Sequence, residues 1–289
     1  NLTTLTDAID EIAVKLPSIR KAAKKVDDNM KIAIVGQPNS GKSSLVNFLL
    51  GKKRMIVSEM PGTTRDSVDS EIKFHGIAVT LIDTAGLRRK AKVNNKVEVY
   101  SILRTIKSIE RPDIVFLMFD IDKGLTVQDQ KIAALVRNRQ KCLLILGNKW
   151  DLVDTDRHEK RKSLDQEIKD KFSFFPGVGI EVISATQGQN VGKVMDAAFV
   201  YFQKYRIKFP TSKLNSVFQL IMADNLPSAS RSFKMYYGTQ TDNRPPTFKL
   251  FINSKRHVNK TLIRFLEKRL TEKLGLQGIP LQIDLVERR

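Results

Sequence analysis

Eight residues, Gly36-Gln37-Pro38-Asn39-Ser40-Gly41-Lys42-Ser43, constrain this chain more than any others. They satisfy the pattern G-x-x-x-x-G-K-[ST], and their flanks have the character that pattern needs. Before them, Ile32–Val35 is a short apolar run with β-branched residues, which reads as a buried strand. After them, Leu45, Val46, Leu49 and Leu50 recur at helical spacing. Glycines in such a loop let backbone N–H groups converge on phosphate, and the helix start adds its positive dipole end. Lys42 can reach the outer phosphates, the Ser43 hydroxyl can hold magnesium, and Ser44 follows them among the nucleotide-binding residues. A glycine turn ahead of a helix, with no ligand, is the plainer alternative for the motif taken alone.

Three further stretches weigh against that alternative. VTLIDTAG is a strand ending in Asp83-Thr84-Ala85-Gly86, followed by Leu87. A carboxylate there can hold a magnesium-bound water, and the Gly86 N–H can face a γ-phosphate. CLLILGNKWD ends in Asn148-Lys149-Trp150-Asp151. Asp151 can accept hydrogen bonds from guanine N1 and N2, a donor pair that adenine lacks, and a two-point polar contact discriminates strongly. EVISAT ends at Ser184-Ala185-Thr186, where a backbone N–H can meet guanine O6. Four motifs in order, each at a strand end, point to a guanine-nucleotide site.

PGTTRD at Pro61–Asp66, DTAGLRRK at Asp83–Lys90, NKWD, and RPPTF at Arg244–Phe248 carry a family resemblance over nearly the whole chain. The chain is similar to the translation-factor-like GTPases of bacteria and, within them, resembles the Der (also called EngA) family. The resemblance implies two tandem GTPase domains, a small C-terminal KH-like domain, and a role in assembly of the large ribosomal subunit. It implies GTP and GDP as ligands and the subunit and its RNA as partners, with no DNA or membrane. Thr64 then joins Ser43 and Asp83 at magnesium, in the GTP state only. Met55–Asp66 and Gly86–Glu98 become switch segments released when the γ-phosphate is lost. Leu87 stands where many GTPases carry a water-orienting glutamine, so intrinsic hydrolysis should be slow or use another group; no general base is assigned. Asn39 matches the loop asparagine of potassium-activated relatives, where its carbonyl helps hold a monovalent cation. Asn39 as a stabiliser of the loop turn is the alternative, and both stay open. Catalytic support thus falls on Lys42, Thr64 and Asn39.

Composition agrees with these readings. Fifty Lys and Arg against 31 Asp and Glu leave a net charge of +19, which favours an acidic partner, nucleic acid before membrane. The single cysteine, Cys142, excludes an internal disulfide framework and reads as a core residue of an apolar strand. His75, His158 and His257 lack metal-ligand spacing and read as solvated surface residues. No run of 18 apolar residues occurs and no signal peptide opens the chain, so a soluble, cytoplasmic protein is expected.

Two units follow along the chain, after a fragment of a third. NLTTLTDA at Asn1–Ala8 matches NVGKVMDA at Asn190–Ala197 at several positions. Residues 1–29 therefore read as the last helix of a preceding GTPase domain, otherwise missing, plus a linker; coincidence between two amphipathic helix starts is the alternative. Residues 30–208 read as an α/β GTPase domain. Strands near Lys31–Val35, Ser67–Phe74, Ala78–Ile82, Ile114–Asp120, Leu143–Gly147 and Glu181–Ile183 imply a mostly parallel sheet with one antiparallel member, flanked by helices. Residues 209–289 read as helix, strand, strand, helix, strand, a small α+β KH-like domain. Its strands, SFKMYYGTQ and TFKLFIN, flank an expected turn at TDNRPP. KH domains usually clamp single-stranded RNA with a G-x-x-G loop, and this segment has none. It carries 14 Lys and Arg against 6 Asp and Glu, a net of +8 that suits phosphate contact without sequence readout, or a merely soluble surface, or packing against the GTPase domains. Tyr236, Tyr237 and Phe251 could stack bases, but aromatic residues at strand spacing more often belong to a core.

Three functions fit. The first is a GTP-hydrolysing switch in assembly of the large ribosomal subunit. The second is a GTPase partner of an RNA-modifying enzyme. The third is an RNA-binding scaffold that holds GTP with little turnover.

Overall fold

The computed structural model describes residues 29–51, 69–84, 109–224, 226–227, 230 and 232–288. The helix expected in residues 1–29, the PGTTRD segment with Thr64, and both switch segments lie outside them, save Asn29 itself.

Strand β1 (Asn29–Val35) passes through the loop at Gly36–Gly41 into α1 (Lys42–Gly51), as the G-x-x-x-x-G-K-S pattern predicts. β2 (Ser70–Phe74) and β3 (Ile77–Ile82) form a hairpin across His75-Gly76, both with positive φ. β4 (Ile114–Asp120), α2 (Val127–Asn138), β5 (Cys142–Asn148), α3 (Arg157–Lys171), β6 (Gly179–Val182) and α4 (Val191–Tyr205) follow. The sheet order is β2-β3-β1-β4-β5-β6. β1 runs parallel to β3 and β4, and β2 is the antiparallel member. Every residue of β4 and of β5 is buried, which is why both read as unbroken apolar runs rather than alternating ones. Cys142 is among them.

Beyond Tyr205, α5 (Thr211–Ala223), β7 (Met235–Asn243), β8 (Pro246–Ile252), α6 (Lys260–Leu274) and β9 (Gln282–Glu287) follow the expected order. Their sheet is β7-β8-β9, with β7 antiparallel and β9 parallel to β8. The expected six-residue turn is much tighter. Asp242 and Asn243 pair with Thr247 and Pro246, so β7 runs through most of TDNRPP and turns at Arg244-Pro245. α6 is bounded by its own signals. The Asn259 side chain accepts from the Leu262 N–H at 2.8 Å, and Gly275 closes the helix in the left-handed conformation.

Two compact units result. One comprises Leu146–Val153, Glu181–Phe202 and the described residues before Leu125; the other comprises Leu125–Ile145, Asp154–Ile180 and the chain from Gln203 onward. Within the second, the Tyr205 hydroxyl donates to the Gln140 carbonyl at 2.9 Å, Arg137 pairs with Glu267 at 2.6 Å, and the Gly278 N–H donates to the Pro176 carbonyl at 3.1 Å. The last two of these bonds join segments on both sides of residue 208. No helix among the described residues is long and apolar enough to cross a membrane.

Candidate functional site: a phosphate loop held by an asparagine clamp

The site lies within the first unit, at the carboxyl ends of β1, β3 and β5 and just beyond β6. The loop opens at Gly36 with φ of 136° and closes at Gly41 with φ of 95°, both outside the range that side chains favour. A Cβ on Gly36 would stand 2.0 Å from the Met118 carbonyl oxygen of β4. One on Gly41 would stand 2.1 Å from Asn148 Nδ2. Backbone packed this closely leaves room only for glycine. Pro38 and Asn39 are exposed at the loop's outer turn, Gln37 is half-buried, and Asn39 is left-handed at φ of 62°, a conformation that asparagine tolerates. Ser40 is buried.

Lys42 reaches back over the loop. Its Nζ donates to the Gly36 carbonyl at 3.0 Å, to the Gln37 carbonyl and to Ser40 Oγ at 3.3 Å. Three donors on one ammonium bind three points of the loop and fix the cation against it. Ser43 and Ser44 are half-buried in the first turn of α1.

Asn148 ends β5 and is 4% exposed. Its Nδ2 donates to the Ser40 carbonyl at 2.8 Å, and its Oδ1 accepts from the Ala185 N–H at 2.9 Å. One buried amide therefore fastens the phosphate loop to the turn after β6. The Ala185 N–H, which the sequence offers to guanine O6, is thus held by Asn148. Ser184 and Ala185 are both buried, and the Ser184 hydroxyl caps the turn by accepting from the Gln187 N–H at 3.2 Å. Lys149 is left-handed at φ of 69°, which lets the chain turn away from the strand. Its Nζ meets Asp120 Oδ2 at 2.5 Å. Trp150 is buried, and its N–H donates to the Ile183 carbonyl at 3.0 Å. Asp151 lies half-buried in the short 3-10 turn Trp150–Leu152.

Asp83, just past β3, has φ of 58°, and its N–H donates to Asp69 Oδ1 at 3.1 Å. Asp69 also takes the Arg111 guanidinium at 2.5 Å. Thr84 is buried, with its hydroxyl 2.8 Å from that of Ser70. Ala85, Gly86 and Leu87 lie outside the described residues. Ser43 and Asp83 offer a hydroxyl and a carboxylate, hard oxygen donors of the kind magnesium takes. Among the described residues no group of three or more His, Cys, Asp and Glu could hold a metal by itself. His75 is half-exposed and hydrogen-bonds Asp196 at 2.8 Å.

Asp120 and Asp69 are absent from the residues that sequence reasoning singled out. Asp120 had a signal: it is the one charge closing the seven-residue run IVFLMFD. Asp69 had none, because it acts through the backbone of a residue 14 positions away.

A glycine loop feeding a helix start, clamped from the ends of neighbouring strands, defines the P-loop GTPase fold. The model of a family described as "50S ribosome-binding GTPase" matches residues 31–149, and that of "KH-domain-like of EngA bacterial GTPase enzymes, C-terminal" matches residues 208–285. GTPase Der of Caldanaerobacter subterraneus subsp. tengcongensis is 38% identical over 284 residues, which is 98% of this chain and 64% of that one. GTPase Der of Clostridium botulinum strain Okra is 43% identical over 265 residues, covering 91% and 60%. A solved structure of an Era variant from Aquifex aeolicus bound to GDP and AlF4− aligns over 90% of this chain and 93% of that one, at 22% identity and a TM-score of 0.45. The chain belongs to the Der (EngA) family of bacterial GTPases. It spans 60 to 64% of the length of the two Der relatives above.

Proposed function

We propose that this chain binds GTP and GDP with magnesium and hydrolyses GTP, as a cytoplasmic switch whose nucleotide state governs binding to the large ribosomal subunit and its RNA. In this reading residues 30–208 form the GTPase domain and 209–289 the KH-like domain. The observation that carries it is the convergence of the Gly36–Ser43 loop, Asp83, Asn148 and Ala185 at one end of the sheet. The family description and the net charge of +19 support the ribosomal partner.

The loop amides and Lys42 hold the phosphates. Lys42 exchanges part of its hold on the Gly36 and Gln37 carbonyls for phosphate oxygens, so the cation is positioned before the nucleotide arrives. Ser43, Asp83 and Thr64 hold magnesium, which when bound neutralises charge on the β- and γ-phosphates. Asp151 reads the guanine edge. Lys149, oriented by Asp120, lies beside it. With leucine at position 87, turnover is slow, and potassium held through Asn39 accelerates it.

The test is base choice and turnover together. Asp151→Asn should shift binding from GTP towards XTP, because an amide presents a donor where the carboxylate accepts. Full preference for GTP over XTP in that variant would overturn the assignment. A wild-type chain that binds GTP without releasing phosphate would favour the scaffold reading. Crosslinking to ribosomal RNA that is equal in the GTP and GDP states would remove the switch.

A further inference from the structure

The C-terminal sheet exposes an aromatic strip that the folding of its domain does not require. Along β8, Phe248, Leu250 and Ile252 are fully buried, whereas Lys249 and Phe251 between them are only half-buried. The sheet therefore has an inner face on its core and an outer face carrying Lys249 and Phe251. On β7, strict alternation would send only one of Tyr236 and Tyr237 to that outer face. A register shift lies between Met235, opposite Ile252, and Tyr237, opposite Phe251. Tyr236 is the extra residue of this bulge, and a bulge re-aims the side chain it carries. Both tyrosines are exposed, at 51% and 42%. The Tyr237 ring stacks on Phe251 with centroids 4.3 Å apart and planes 16° from parallel. The Arg288 guanidinium lies over the Tyr236 ring at 5.7 Å. Val286, level with Phe251, extends the row onto β9.

This arrangement is costly unless used. Two exposed tyrosines and a half-buried phenylalanine stand together on one face of this sheet. Cations border them: Arg288 caps one ring, Lys249 lies two residues along β8 from Phe251 with Asp284 opposite it on β9, and exposed Lys234 precedes β7. Flat aromatic faces bordered by Lys and Arg match unpaired bases on a phosphate backbone, because every base offers a π-face and every linkage a negative charge. A purely apolar protein partner would not account for the cations.

Resting on the ribosomal-RNA reading above, we infer that the outer face of β7-β8-β9 is a stacking platform for unpaired bases of single-stranded RNA. Tyr236 and the Tyr237–Phe251 pair take the bases, and Arg288 and Lys249 follow the backbone. Binding there needs no G-x-x-G loop and reads little sequence.

The test compares an unstructured uridine RNA of about 12 nucleotides with an RNA duplex of similar charge, by fluorescence anisotropy on the whole chain. Tyr236→Ala and Tyr237→Ala should each weaken single-strand binding roughly five- to a hundred-fold, with duplex binding within about twofold of wild type. Tyr236→Phe should restore the single-strand affinity, which a misfolded sheet would not. Guanine-nucleotide affinity, read from the other unit, should not move. Alanine variants that bind the single strand like wild type, or that lose single strand and duplex equally, would overturn the platform. So would alanine variants that keep RNA binding but lose self-association or capture of another protein domain. A wild-type chain that binds neither RNA at low salt would instead defeat the ribosomal-RNA reading itself.

Discussion

Asn148→Ala should destabilise the chain with no nucleotide present. The wild-type amide spends its donor on the Ser40 carbonyl at 2.8 Å and its acceptor on the Ala185 N–H at 2.9 Å. Both bonds are of normal length, and the amide is 4% exposed. A hydrogen bond of this kind contributes about 0.5–1.5 kcal/mol net, but leaving a buried partner unpaired costs about 1–3 kcal/mol. Two partners are orphaned here, one of which water can reach more readily through the half-buried Gly41, so the loss should be about 2–4 kcal/mol. That is a large fraction of the roughly 5–15 kcal/mol that holds a domain together. Trp150, the chain's single tryptophan, is two residues away and 6% exposed, so its fluorescence reports unfolding of the clamp's surroundings. In urea the midpoint should fall with the slope unchanged. Asn148→Asp should cost at least as much: the carboxylate keeps its bond from Ala185 but turns a second acceptor towards the Ser40 carbonyl. Stability of Asn148→Ala within about 0.5 kcal/mol of wild type would refute the clamp.

Gly41→Ala should break the same clamp from the other side, since its Cβ would need the space of Asn148 Nδ2; a loss of about 1 kcal/mol or more and weaker GTP binding by titration are expected. Hydrolysis by the wild-type chain should run faster in potassium than in sodium at equal ionic strength, and Asn39→Ala should lose that difference while keeping nucleotide affinity; a potassium effect that survives places the cation elsewhere. Glu287 accepts from the Lys255 N–H and from Ser254 Oγ at 3.1 Å, which hold its carboxyl below the ordinary 4.5. Its contribution is therefore complete above that ordinary value and fades as pH falls through the lowered one. Glu287→Gln should flatten the acid side of the stability profile, and an unchanged profile would show that the bonds do not form in solution.

Local pattern determined much of this protein. The glycines at 36 and 41, the apolar runs that became β4 and β5, and the caps Asn259 and Gly275 each specify backbone over a few residues. Such features are legible because sterics, burial and capping act within one turn or one strand. They placed the loop, Asp83, Asn148 and Ser184-Ala185 at strand ends before any strand had a neighbour. What a strand end touches is another matter. Asn148 meets residues 108 and 37 positions away, and Lys149 meets one 29 away. Those pairings exist only because β1, β4, β5 and β6 lie side by side. The sequence therefore offered Asn148 as a member of the NKWD motif of a guanine-nucleotide site and concealed it as a tie between two loops. The C-terminal sheet teaches the same lesson in reverse. Tyr236, Tyr237 and Phe251 read as base-stacking residues or, more often at strand spacing, as core, and a single bulge, set by how β7 pairs with β8, leaves both tyrosines exposed. Periodicity is a property of one strand, whereas register belongs to two, and only the folded sheet decides it.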